Sequence, residues 1–578
     1  MSSPIKVSLL IFAMLILSGP PFAWTQKIPV KSNSESQFPG TTPPTKAVLK
    51  PATPVSFEQV VDRIVERERG FNTRMRSLQP LVETYIQTLS PDHELGLIPA
   101  GDAYFLGRLD LKRGVIEDRS FLEKPQDERG FFSKLVKPFV PKFLPAGFAQ
   151  MAIVDDNFDR SKYEFSFVRR EFLGEIRCLA IDVQPKKDLG NGRFIGRIWV
   201  EDQDYNIVRF NGTYGPIRRP ARYFHFDSWR LNMQPGLWLP AYIYSEESHI
   251  DLGPIKNLRF KSQTRLWGYD LSHAARNEEF TQIVIDTPQA VRDQSGTAQD
   301  ATPVQGQRLW ERQAEDNAID RMEKVGLLAP EGEVDKIVQT VADNLIVTNN
   351  LTIQPEVRTR ILLTLPLESF TIGHTIVLSR GLLDVLPDEA SLATIIAHEL
   401  SHIALGHRLD TSLAFNDRTF FKDENTLDKL DFSHDVVEEE AADNRAIEVL
   451  ANSPYKDKLE SSALFLKVLQ IRAPDLKSLI RSHLGNKLAE GNSIVRMPSL
   501  LQASPQLEMR RTDQSAALPL GSRIKMDPWG SRIELVKSKP VALASPSEKM
   551  PFEVTPFFPY LTRFDSPTPE KMALAPAK

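Results

Sequence analysis

The sequence predicts an α+β fold in two parts. The first is an N-terminal helix with an antiparallel, half-barrel-like β domain; the second is a mainly α domain carrying a small edge sheet. Three observations carry this expectation. The chain has 578 residues, more than one domain holds. Between residues 163 and 285, apolar and polar residues alternate in short runs, the period of half-buried strands. Beyond residue 387, the stretches 392–405, 437–450 and 458–480 read as helices. The polar residues 287–307, rich in Gln, Ser, Thr, Gly and Pro, read as the linker between the parts.

Residues 1–25 read as a secretory signal peptide, with Lys6 ahead of an apolar run at 7–17 and Ser18, Gly19, Pro20 and Ala23 behind it. The run is short for a membrane span, and no Cys stands directly after it to take a lipid. A secreted or periplasmic chain is expected, with an uncleaved membrane anchor as the alternative. Residues 26–55, rich in Pro, Ser and Thr, form a disordered tether.

The first domain spans 56–286. A helical pattern starts at Ser56 and continues through Phe71, Met75, Leu78, Val82, Tyr85, Ile86 and Leu89, with Pro80 kinking or dividing it. Strands are expected at 163–168, 176–183, 193–200, 205–210, 223–231, 237–245, 257–267 and 280–285. A helix followed by such a meander, with residues 196–209, resembles the LolA-type half-barrel of lipoprotein carriers. That resemblance implies a curved sheet able to hold an acyl chain or a polypeptide; the plainer expectation is a scaffold that packs on the second domain. Residues 134–148 mix Lys, Pro and bulky apolar side chains. They suit peripheral membrane contact, a cover over the sheet, or a connecting loop, and their prolines exclude a regular amphipathic helix. Cys178 is the one cysteine, so no disulfide forms within the chain, and its alternating surroundings predict a buried thiol. A net charge of −4 argues against a nucleic-acid partner.

The second domain, 308–525, is organised around His398-Glu399-Leu400-Ser401-His402. On a helix of 100° per residue, His398 and His402 lie on one face, one turn apart, and reach one metal ion. Glu399 points about a quarter turn away, beside the open coordination position rather than on the metal. Two ligands, one base and room for water form the layout of a zinc hydrolase. Leu392, Ile395, Ile396, Ile403 and Leu405 make the stretch apolar, and residues 387–391 supply helix-start signals.

A third ligand is needed: a third His or a Glu on a second helix. His407 lies nine residues past His398, on the opposite face, which suits a helix-end residue or a neighbour of a ligand. In residues 437–450, Glu439 and Asp443 are four apart on one helix face. Glu439 can bind the metal while Asp443 accepts a hydrogen bond from a ligand imidazole, fixing its orientation. Ala441 and Ala442 are small enough for close packing. The alternative is a solvated acidic face at Glu438–Glu440.

With these motifs the chain resembles metallopeptidase family forty-eight, a gluzincin group, over roughly residues 305–511. The resemblance adds a helical lead-in at 310–345, an edge strand within 368–386, and a late element at 503–510. There Ser504 stands where the family has His, while Arg510 is kept and is implied to steady an oxyanion. Unlike membrane-spanning members, this chain has no later apolar span. The fold class is therefore completed as a zincin-type peptidase domain.

The function expected is a zinc-dependent metalloendopeptidase of extracytoplasmic, cell-envelope proteins, with one Zn²⁺ on His398, His402 and Glu439 and a polypeptide substrate. Glu399 is the base and Arg510 an oxyanion partner. Non-haem iron also takes two His and one carboxylate, but such sites have no task for a Glu directly after the first His. Residues 370–379 read as one exposed edge strand to which substrate adds by main-chain hydrogen bonds. His374 within it is an assistant at the site or an ordinary strand residue. The alternative function is a lipid or unfolded-protein carrier with a secondary or inactive zinc domain. More helix is expected at 458–480, and residues 526–578 form an extended Pro-rich tail.

Overall fold

The structure, a computed structural model, describes residues 56–93, 96–109, 111, 121–122, 142–143, 145–187, 192–215, 224–250, 258–269, 271, 303–407, 432, 434–480, 497–503, 505–507, 524–526, 533–535 and 552–564. The expected signal peptide, the tether and the strand at 280–285 lie outside these residues. The described residues belong to one compact unit.

Helix α1, Phe57–Met75, starts where the Ser56 hydroxyl accepts from Gln59 N and buries Ile64, Val65, Phe71 and Met75. It ends there. The residues after Pro80, expected to continue the helix, instead form strand β1, Leu81–Asp92. The three-and-four spacing misled because β1 is buried on both faces. Val82 and Ile86 face one side, while Leu81, Glu83, Tyr85 and Gln87 face the other, where the polar members are also buried. Buried polar residues erased the alternation that marks a strand.

Eight further strands follow: β2 Gly96–Arg108, β3 Tyr163–Leu173, β4 Ile176–Pro185, β5 Arg193–Glu201, β6 Ile207–Gly215, β7 Phe226–Gln234, β8 Leu237–Ile250 and β9 Leu258–Trp267. They form one open antiparallel sheet in the order β2-β1-β9-β8-β7-β6-β5-β4-β3. One face packs on α1 and the short helix α2, Pro145–Gln150, around an aromatic core. Phe194 meets Phe210 edge-on at 5.7 Å, and Phe148 meets Phe260 at 6.2 Å. Phe148, from the Lys- and Pro-rich stretch, is thus buried against the sheet. Of that stretch, residues 134–141 and 144 lie outside the described residues, while Lys142–Phe143 pair with Phe121–Leu122 and 145–148 belong to α2. Cys178 on β4 is fully buried, and burial pushes its thiol up to about 12.

The opposite face of the sheet shares a continuous buried cluster with the helical half. That half begins with α3, Pro303–Val325, and α4, Glu333–Thr348. Strands β10 Arg358–Leu362, β11 Ser369–Ile372 and β12 Thr375–Ser379 form a small sheet in the order β10-β12-β11. Helices α5 Arg380–Val385, α6 Glu389–Leu405, α7 Val436–Ala451, α8 Leu459–Arg472, α9 Lys477–Ile480 and α10 Pro498–Ala503 follow. A short hairpin, β13 Ile524–Met526 with β14 Ile533–Leu535, comes last. Among the described residues no helix is long and apolar enough to cross a membrane.

Buried polar contacts join the two halves. Glu83 of β1 accepts from Arg380 of α5 at 3.0 Å, from Leu365 N at 2.6 Å and from Tyr104 at 3.0 Å. Asp102 of β2 accepts from Ser478 N and Leu479 N in the first turn of α9, at 2.9 and 2.8 Å. Trp267 of β9 donates to Gly326 O just beyond α3.

Residues 552–564 run irregularly across this side of the sheet. The Gln87 side chain donates to Phe552 O and accepts from Val554 N, a two-point grip on the segment's backbone. Glu175 N donates to Leu561 O at 2.8 Å, and Arg563 pairs with the buried Glu201 at 2.9 Å.

The expected single strand at 370–379 is a hairpin. It turns at Gly373, whose φ of 59° suits a residue without Cβ; a Cβ there would stand 2.9 Å from Glu315 Oε2. Glu315 of α3 is buried and accepts from Arg312, Arg358 and Thr375, pinning the turn to β10. Of the hairpin's two strands, β11 lies at a sheet edge and β12 in the middle; the side chains of β11 are buried.

Candidate metal centre

Helix α6 carries the centre because its ends and its interior are both specified. Asp388 caps its start, accepting from Ser391 N at 2.8 Å. Gly406, at φ 75°, turns its end in the left-handed region. Residues 390–403 between them are all buried, as an all-round apolar sequence requires. Thr394 and Ser401 return their hydroxyls to carbonyls one turn back. Helix α7 packs against α6, buries Ala442 and Ala446 fully, and starts where Asp435 accepts from Val437 N and Glu438 N.

This packing brings His398, His402 and Glu439 together, with one ligand atom from each within 4.8 Å of the others. The two Nε2 atoms are 3.0 Å apart. Glu439 oxygens stand 3.2 Å from His398 Nε2 and 3.6 Å from His402 Nε2. Ligands about 2.0–2.1 Å from a tetrahedral zinc are roughly 3.3 Å from each other, and the three separations bracket that value.

The donor chemistry fits a cation. Asp443 Oδ1 lies 2.8 Å from His398 Nδ1. A carboxylate only accepts, so Nδ1 carries the proton and the Nε2 lone pair faces the centre. His402 Nδ1 lies 2.9 Å from His407 Nδ1. With His402 as the donor of this pair, its Nε2 lone pair also faces inward; burial holds His407 below its usual pKa, which favours the neutral ring that can accept. Two lone pairs and a carboxylate converging in a buried pocket repel one another unless a cation stands between them.

Asp443 is itself held, by Met497 N at 2.6 Å. Met497 sits at φ 50°, a conformation that costs a non-Gly residue about 1–3 kcal/mol. Replacing Asp443 with Ala is therefore expected to weaken metal binding at this cluster about 10–100-fold. Competitive zinc titration of the folded variant checks this; an unchanged affinity would refute the role.

Glu399, next to His398, is fully buried. His407 is a helix-end residue against His402, and His374 occupies the β11–β12 turn. Ser504 and Arg510 lie outside the described residues. Two contributors escaped the sequence reading. Met497 acts through a backbone amide, which no side-chain pattern reveals. His434 had a signal, since it stands five residues before Glu439 in a chain with only 10 His.

A buried His-His-carboxylate cluster with a further Glu beside its first His defines a metallohydrolase-type centre. The profile of peptidase family M48 matches residues 330–421, which contain α6, and the match supports a metallopeptidase function. No curated protein matches. Among solved structures, the chain is similar to a DUF1329 family protein from Desulfovibrio piger ATCC 29098. The identity is 13%, covering 38% of this chain and 93% of that one, with a TM-score of 0.19.

Proposed function

We propose that the protein is a zinc-dependent endopeptidase that cleaves polypeptides outside the cytoplasm. The convergence of His398, His402 and Glu439, with Glu399 adjoining, carries this reading. Zinc held by these three residues would polarise the scissile carbonyl and lower the pKa of a bound water towards ~7. Glu399 takes the proton of the attacking water and returns it to the departing amine nitrogen. Asp443 keeps His398 in the ligating tautomer throughout.

Strand β11 supplies a main-chain template at the edge of its sheet. Recognition through main-chain hydrogen bonds needs no free chain end, which favours internal cleavage and broad sequence tolerance. The extracytoplasmic setting rests on the signal-like residues 1–25. The α1-side face of the sheet, where a carrier would seat an acyl chain, is filled by Phe194, Phe210, Phe226 and Phe260. This favours a supporting sheet.

Purified protein is expected to contain about one zinc per chain and to cleave casein. Chelation should abolish cleavage, and added zinc should restore it. Cleavage that persists after complete metal removal would end the proposal.

A further inference from the structure

We propose that His434 is a positioning residue that ties the ligand His402 to the edge strand β11. This rests on the metallopeptidase reading and assigns a task to an imidazole that the mechanism above does not use.

The His434 ring lies parallel to that of His402, with centroids 4.0 Å apart and planes 14° from parallel. Its side chain is 1% exposed. Nδ1 lies 2.8 Å from Glu438 Oε2, and Nε2 lies 3.4 Å from Thr371 Oγ1 on β11. The Glu438 carboxylate only accepts, so His434 Nδ1 donates, and in the neutral ring Nε2 accepts the threonine hydroxyl.

The position of His434 follows from the start of α7. It directly precedes the capping Asp435, so Glu438 in the first turn reaches back to it. The same helix start thus carries the ligand Glu439 and the imidazole that backs the ligand His402. Two residues earlier, Phe432 stacks on Phe370 of β11 at 4.9 Å and 7°. Phe370 and Thr371 point to opposite sides of the strand. Phe432 and His434 therefore grip β11 from both sides. Stacking fixes the plane of the His402 ring, and the Thr371 contact fixes the strand relative to it. Metal binding and the substrate template are held by one device.

Three variants of the full chain separate these two tasks. His434→Phe keeps the stack and loses both hydrogen bonds. His434→Ala loses both. Thr371→Val loses only the strand link. Zinc affinity is read by competition titration, and kcat and KM on an internally quenched casein-derived peptide. His434→Ala should weaken zinc binding about 10–100-fold, while His434→Phe stays within about threefold. Both His434→Phe and Thr371→Val should raise KM about fivefold, the size of one hydrogen bond, with kcat little changed.

Restoration of wild-type KM by Phe would reduce His434 to packing and overturn the proposal. So would wild-type zinc affinity in His434→Ala. If His434→Ala does not fold, the KM values of the other two variants decide. Wild-type protein that binds no zinc would remove the metallopeptidase reading and this inference together. Wild type that binds zinc and cleaves, with all three variants matching it, would overturn this inference alone.

Discussion

Changing Glu399 to Gln is expected to slow peptide-bond hydrolysis by about 10²–10⁴-fold while leaving bound zinc at one per chain. The substitution is nearly isosteric, so α6 keeps its packing around a side chain that is fully buried. What it removes is the ability to take a proton. Water attacking the carbonyl must lose one proton, and the amine must gain one; an amide side chain does neither at neutral pH. The three ligands, and the Asp443 bond that sets the His398 tautomer, remain in place. Metal analysis and cleavage assays on the same sample make the comparison. A variant that keeps its zinc and more than about a tenth of wild-type activity would show that Glu399 is not the base.

The second large effect is on stability. Glu83→Ala should destabilise the fold by about 3–5 kcal/mol. Glu83 and Arg380 are 2% and 0% exposed, so deleting the carboxylate leaves a guanidinium buried without its counter-charge. Leu365 N and the Tyr104 hydroxyl lose an acceptor at the same time. The double replacement Glu83→Leu with Arg380→Met should cost less than the single change, because both charges leave together. Denaturant unfolding measures both. A loss below about 1 kcal/mol for Glu83→Ala would mean that this contact is not what joins the halves. The site has a stake in the outcome, since α5 begins at Arg380 and leads directly into α6.

Which parts could be read from sequence follows from the range of the forces involved. The common face of His398 and His402 is set by helical geometry over four residues, and so is that of Glu439 and Asp443. The strand at 163–173 showed its period because exposed polar residues such as Glu164 and Ser166 alternate with apolar ones. The strand at 81–92 did not, because its Glu83 and Gln87 are buried in contact with residues 365, 380 and 552, far along the chain. The hairpin at 369–379 depended on recognising Gly373 as a turn, whose necessity shows only once Glu315 occupies the space above it. His434 acts through an aromatic face and a strand more than sixty positions earlier, a relation no local pattern encodes.

The grip of Gln87 on residues 552 and 554 also bears on the order of assembly. Phe552 and Gln87 are separated by 465 positions, and Arg563 and Glu201 by 362. Contacts of that separation form late, because a long loop must close before they gain anything. During synthesis, the sheet emerges from the ribosome well before the segment that covers part of it. A nascent chain stopped short of residue 552 would therefore hold Gln87 and Glu201 without these partners. Such truncated products are the forms for chaperones and quality-control proteases to recognise.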